Sequence, residues 1–173
     1  MTSMTGSSRL GRALVRVVAW GAVPLYLVGM GGKIWMDHQL GLDTSLLDLM
    51  LAVGFGAFAV VGAVLVARRP QNLVSWIMVA IGLMTALFPA AETYAAFVMT
   101  KRGSPDPLAV FGVWANDVYF YPLIALALVY LPLVFPDGCL PSRRWRWVAH
   151  FVALSVVGAV LAALSASHWL DRI

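Results

Sequence analysis

The sequence predicts an all-α membrane protein, a polytopic bundle of about five transmembrane helices, on three observations. Of its 173 residues, 61% are hydrophobic and 12% charged, against roughly 45 to 50% apolar and 25% charged in a soluble domain. The mean hydropathy is +0.85. The apolar residues gather into blocks of about twenty, the length a helix rising 1.5 Å per residue needs to cross a hydrocarbon core near 30 Å thick. Lysines and arginines fall at the edges of these blocks or between them.

Residues 1–12 read as a cytoplasmic tail, and residues 13–173 as a single transmembrane domain. The first span covers 13–32, with Pro24 as a tolerated kink, because neighbouring groups in a membrane bundle satisfy the carbonyl that proline frees. Asp37 to Thr44 is polar and turn-like. The second span, 45–67, stops at Arg68, Arg69 and Pro70. The third runs over 73–91, with a wetter extension from Glu92 to Met99, and Gly103, Pro105 and Pro107 break the chain after it. Leu108 to Phe135 is too long for one untilted crossing, so an interfacial segment to Asp117 and a span over 118–135 are expected. The fifth span covers 147–167.

The net charge of +4 and pI of about 9.6 do not indicate nucleic acid, because that reading needs the basic residues on a soluble surface. They set an orientation instead, since short cytoplasmic connections collect Lys and Arg. With the N-terminus inside, Arg9, Arg12, Arg16, Arg68, Arg69, Arg143, Arg144 and Arg146 are cytoplasmic, and Lys33, Lys101, Arg102 and Arg172 external, a split of eight to four. Trp76, Trp145 and Trp147 then fall at the inner boundary, and Trp35, Trp114 and Trp169 at the outer one. Five spans leave the C-terminus external. Cys139 is alone, so no intramolecular disulfide forms.

Small residues recur three or four apart at Ala52, Gly56, Ala59, Ala63 and Ala67, and at Ser75, Gly82, Ala86 and Ala90. A third set is Ser155, Ala159 and Ala163. Such stripes let helix backbones approach closely in lipid, so a compact bundle is expected, with Asp48 continuing the first stripe toward protein.

Two inner connections are the most specific features. In the first, Arg68 and Arg69 face anionic headgroups, Pro70 stops the helix, and Asn72 and Trp76 follow. The second contains Phe135, Pro136, Asp137, Gly138, Cys139, Leu140, Pro141, Ser142, Arg143, Arg144, Trp145, Arg146 and Trp147. Asp137 and Gly138 supply turn chemistry, Ser142 suits a helix cap, and Asp137 either pairs with Arg144 or Arg146 or serves the turn alone.

Together these connections resemble the membrane-embedded N-terminal region of actinobacterial-type sensor histidine kinases, which carries an Arg-Arg-Pro-x-Asn-Pro-Ile-Gly-Trp segment and a later Phe-Pro-Asp-Gly-Arg-Leu-Pro-Ser-x-Arg-Trp segment. The likeness covers residues 67–83 and 131–148, with Leu73, Ser75 and Cys139 where the family has Pro, Gly and Arg. The family continues into a cytoplasmic kinase portion that this sequence lacks. The resemblance therefore implies a signal-input module without phosphotransfer capacity, whose partners are a sensor kinase, a second copy of the chain, and lipid.

Asp48, Glu92 and Asp117 have similar expected depths near the outer boundary, and ionisable groups within spans are functional candidates. With Tyr94, Trp114, Tyr119 and Tyr121 they suggest an acid-plus-aromatic pocket for a cationic amphiphile or a proton. His38 and His168 share the outer face, but two histidines fall short of the three or four ligands of a metal site. No cofactor is expected. An enzyme would need a convergent nucleophile and base or metal-ligand spacing, neither of which occurs. The functional expectation is a non-catalytic membrane sensor or signalling accessory, and the alternative is a small transporter or transporter subunit using the outer acids.

Overall fold

The computed structural model describes residues 5–139 and 142–165. Helix α1 spans Thr5–Gln39, α2 Leu46–Arg68, α3 Leu73–Arg102 and α4 Pro107–Val118. After a break at Tyr119 come α5, Phe120–Val134, and α6, Trp145–Ser165. No strand occurs among the described residues. Four helices are long and apolar enough to cross a membrane, and a fifth crossing results if α4 and α5, bent by 41°, form one broken span.

The helix ends follow from local chemistry. Ser45 caps α2 in a reciprocal box: its Oγ accepts from Asp48 N at 3.1 Å, while its own N donates to Asp48 Oδ2 at 3.0 Å. Asn72 caps α3 through Val74 N at 2.9 Å, and Gly103, with φ of +70°, ends it in the left-handed conformation that glycine adopts without a Cβ penalty. Asp106 caps α4, accepting from Ala109 N at 2.7 Å, with Pro107 at the first helical position, where a missing N–H costs nothing. Within α5, residues Ala125–Tyr130 wind as a π-helix between Pro122 and Pro132, two residues that cannot donate to the helical ladder.

Three helices depart from the bounds of their expected spans. α1 starts at Thr5, inside the expected tail, and runs on to Gln39, since Lys33 and Asp37 pair four residues apart at 2.6 Å and hold its last turn. α3 continues through Glu92–Met99 to Arg102 without a break, because nothing before Gly103 stops it. α6 begins two residues earlier than expected, at Trp145, and Trp145 N donates to Ser142 O at 3.2 Å.

The core lies among α1, α2 and α3, with α4 packed along the far half of α3. The small-residue stripes are the contact faces. A Cβ on Gly82 would lie 2.8 Å from Ala59 Cβ, and one on Gly62 would lie 2.7 Å from Val79 N, so the α2 and α3 backbones nearly touch. Gly112 meets Ala91 in the same way between α4 and α3. Tyr26 fills the space beside Gly56 and donates from its hydroxyl to Ala52 O at 2.6 Å, tying α1 to α2. Ile81, Val74, Ile77, Leu123 and Val134 join α3 to α5. α6 departs from the compact expectation: its apolar window contains no buried residue, and Ser155 is exposed. One tie to α5 is the Tyr130 hydroxyl, which donates to Ala149 O at 2.6 Å.

Candidate functional site

The α2–α3 and α5–α6 connections meet in space. Asn72 Oδ1 is held by the α3 cap, and its Nδ2 reaches Pro136 O at 3.4 Å. Gly138, with φ of +76°, presses against the Asn72 side chain where a Cβ would have no room. The Phe135–Pro136 peptide is cis, and Gly138 N donates to Val134 O at 2.7 Å, closing the turn after α5. On the other side Trp76 Nε1 donates to Pro70 O at 2.9 Å and packs against the Ala19, Ala63 and Val66 cluster. One asparagine thus fastens the α2–α3 turn to the α5–α6 turn. Arg68, Arg69, Arg143, Arg144, Arg146 and Trp145 are all exposed around it. Asp137 is exposed and forms no ion pair among the described residues, so the expected pairing with Arg144 or Arg146 is absent and the turn role remains. Pro141 lies outside the described residues, as do His168, Trp169 and Arg172.

Asp48, Glu92 and Asp117 do not share a pocket. Asp48 is exposed, not turned into protein, because the first turn of α2 uses it as a cap. Glu92 accepts from Asn116 Nδ2 at 2.5 Å across the α3–α4 interface and borders a separate small hollow with Ala95, Met99 and Val113. Asp117 is half-buried near the end of α4. The aromatic residues disperse as well. Tyr94 donates to Asp106 Oδ2 at 2.7 Å, Tyr119 stacks on Phe88 at 5.5 Å, and Trp114 tilts against Phe111 at 5.6 Å. Asp106 lies in the α3–α4 connection, and the Tyr94 hydrogen bond, followed by that from Ala109 N, holds its carboxyl below the usual aspartate range.

What replaces the expected pocket is a cavity of about 520 Å³ among α1, α2, α3 and the α4–α5 break. Its charged wall comprises Lys33, Asp37, Asp43 and Asp48, and its apolar wall includes Leu51, Phe55, Pro89 and Leu123. Asp48 belongs to it, as does Tyr119, but the buried acid is Asp37, at 9% exposure. The sequence carried a signal for that residue in the Lys33–Asp37 spacing, which places opposite charges on one helical face and argues for helix where a loop was expected. No group of three or more His, Cys, Asp or Glu arranged for a metal ion occurs among the described residues.

These features define a class: an all-helical bundle with several helices of membrane-spanning length, a charged cavity toward one end and two joined turns at the other. No protein-family model, curated protein or solved structure matches the chain.

Proposed function

We propose that the chain is a non-catalytic, multi-pass membrane sensor or signalling-accessory module, similar to the input region of sensor histidine kinases, with the N-terminus and both joined turns cytoplasmic. The observation that supports this reading is the Asn72 link. It makes the ends of α2, α3, α5 and α6 a single unit, while the opposite stretches of α2 and α3 and the start of α5 border the cavity. A change in how the cavity walls pack therefore acts on both turns together. Such a module biases a partner only by interacting differently with two arrangements of its helices. The partners are a sensor kinase or a second copy of the chain, with anionic headgroups against Arg68, Arg69, Arg143 and Arg144.

The lone Cys139, exposed beside Gly138, supplies the test. With an environment-sensitive dye on Cys139 and the chain in proteoliposomes, acidifying the side that the cavity faces should shift the emission reversibly. Asn72→Ala should abolish that shift. A Cys139 signal that stays constant through the step would contradict the sensor reading, and solute uptake by the same liposomes would favour the transporter alternative.

A further inference from the structure

The Tyr130 hydroxyl joins α5 to α6 at Ala149 O, and next to that tie an apolar groove of about 250 Å³ lies between the two helices. Ile124, Ala125 and Val129 form its α5 wall, and Val152, Val156 and Ala159 its α6 wall. Ala125 and Val129 belong to the π-wound stretch, a rare winding that is frequent at functional sites. Ser155 also borders the groove but makes no polar demand, since its hydroxyl already donates to Phe151 O at 2.9 Å. A gap of this kind does not stay empty in a bilayer. Water finds no polar partners in it, and a void forfeits the dispersion contacts of its lining. Its volume falls below the range of about 300 to 1,000 Å³ of small-molecule sites, which favours a single hydrocarbon chain over a compact ligand.

Charge selects which lipid supplies the chain. At the start of α6, Arg143, Arg144 and Arg146 are exposed, and none is ion-paired among the described residues. Asp137 is the one carboxylate of that connection, and it too is exposed. Trp145 and Trp147 are 46% and 79% exposed, and indoles so placed sit level with lipid headgroups. A phosphodiester with net negative charge suits these guanidiniums, whereas phosphatidylcholine brings a compensating ammonium. The register along α6 agrees. At 1.5 Å per residue, Val152 lies about 10 Å and Ala159 about 21 Å from Trp145. A phospholipid whose phosphate is level with Trp145 crosses about 6 Å of headgroup region and then about 15 Å of hydrocarbon in its own leaflet, so its acyl chain passes the groove and ends level with Ala159.

We infer that the α5–α6 groove holds one acyl chain of an anionic phospholipid such as phosphatidylglycerol, with the lipid phosphate against Arg143 and Arg144. The inference rests on the proposed contact of these turns with anionic headgroups, and names the lipid class and the place of its chain. The small residues of α2 and α3 close on each other, whereas Ser155 and Ala159 on α6 face the groove, so the lipid completes packing that no helix supplies. A neutral lipid satisfies the groove alone, and a soluble anion the arginines alone. A helix of a second copy, about 10 Å across even without long side chains, does not enter between helices that a 2.6 Å hydrogen bond joins one turn away.

The test uses the full chain in phosphatidylcholine nanodiscs containing, as the minor lipid, phosphatidylglycerol with a photoreactive diazirine midway along one acyl chain. After illumination, mass spectrometry of the digested chain should find adducts concentrated on Ile124 to Val129 and Val152 to Ala159. Unlabelled phosphatidylglycerol should compete at least about fivefold better than added phosphatidylcholine, the selectivity of one arginine near a lipid surface. Arg143→Gln with Arg144→Gln should remove that preference. Ala159→Leu, and independently Val152→Phe, should remove the adducts by filling the groove, while Leu154→Phe, at a position 70% exposed, should leave them unchanged. Circular dichroism checks that each variant keeps its helix content. Adducts spread evenly over the exposed faces of α1, α2 and α6, equal competition by the two lipids, or labelling that persists in both groove-filling variants overturns the inference. Adducts present with one chain per disc and lost with two assign the groove to a second copy and overturn it as well. Labelling is read without any pH step, so the input-module reading fails or survives on the Cys139 response alone.

Discussion

Gly82→Ala should destabilise the bundle by about 2 kcal/mol, in the range of about 1 to 3 kcal/mol for overpacking a close contact. The added Cβ would lie 2.8 Å from both Ala59 Cβ and Ala59 N, whereas ordinary contact begins at 3.4 Å. The α2–α3 interface must therefore open by at least about 0.6 Å at that level, the difference between those two distances. A radial gap of that size forfeits roughly a quarter to a half of each dispersion well along the seam. Side-chain rotation offers no relief, because the opposing atoms include α2 backbone. Gly54→Ala is the matched control: nothing lies within 4 Å of its Cβ position, so the substitution should be neutral or stabilising by about 0.5 to 1 kcal/mol from helix propensity. Reversible unfolding in mixed micelles, followed by circular dichroism, measures both. A Gly82→Ala chain as stable as Gly54→Ala would refute close backbone approach as the basis of the α2–α3 packing.

Three further outcomes are expected. Asn72→Ala removes the α3 cap and the tie to Pro136, costing about 1 kcal/mol, and should speed amide exchange in the α5–α6 turn; Asn72→Asp keeps the cap but loses the donor to Pro136, so it should affect that turn alone. Ser45→Ala should cost about 1 kcal/mol and raise exchange at the Leu49 and Asp48 amides, since it breaks the box that starts α2. Asp106 has a depressed carboxyl, so its contribution is present above the ordinary aspartate value of about 3.9 and is lost as pH falls through its lower folded value. Tyr94→Phe removes the largest cause of that depression and should move the acid-induced loosening of the α3–α4 connection upward in pH, as followed by exchange at the Ala109 amide.

Much of the fold is legible in the sequence because apolar length and small-residue spacing are local signals. The second span is displaced by one residue, as Ser45 caps the helix from just outside it, and the small residues Ala59, Ala63, Gly82 and Ala86 lie at the buried interface as their spacing requires. The broken pair divides at Tyr119, two residues past Asp117, but α4 runs on along α3 because Gly112 can approach Ala91. The lengths of α1 and α3 were harder to read. Polarity suggested a loop after Met36 and an interfacial fringe after Ala91, yet a helix continues through polar residues until a residue such as Gly103 ends it. The site was least legible. Asp48, Glu92 and Asp117 have similar depth along their helices, but depth says nothing of which face each occupies, and the three diverge to a cap, an inter-helix hydrogen bond and the end of α4. The meeting of Asn72 with Pro136 and Gly138 spans 64 residues and follows only from the packing of α3 against α5.

The proposed arrangement sets the cavity and the joined turns on opposite sides of a membrane, and thiol accessibility decides it. In intact spheroplasts, a membrane-impermeant maleimide should label Thr44→Cys in a Cys139→Ser background without permeabilisation, because Thr44 lines the cavity from an exposed loop. The natural Cys139 should react only after the membrane is opened. Labelling of both positions from the same side would contradict the orientation and the coupling of cavity to turns across the bilayer.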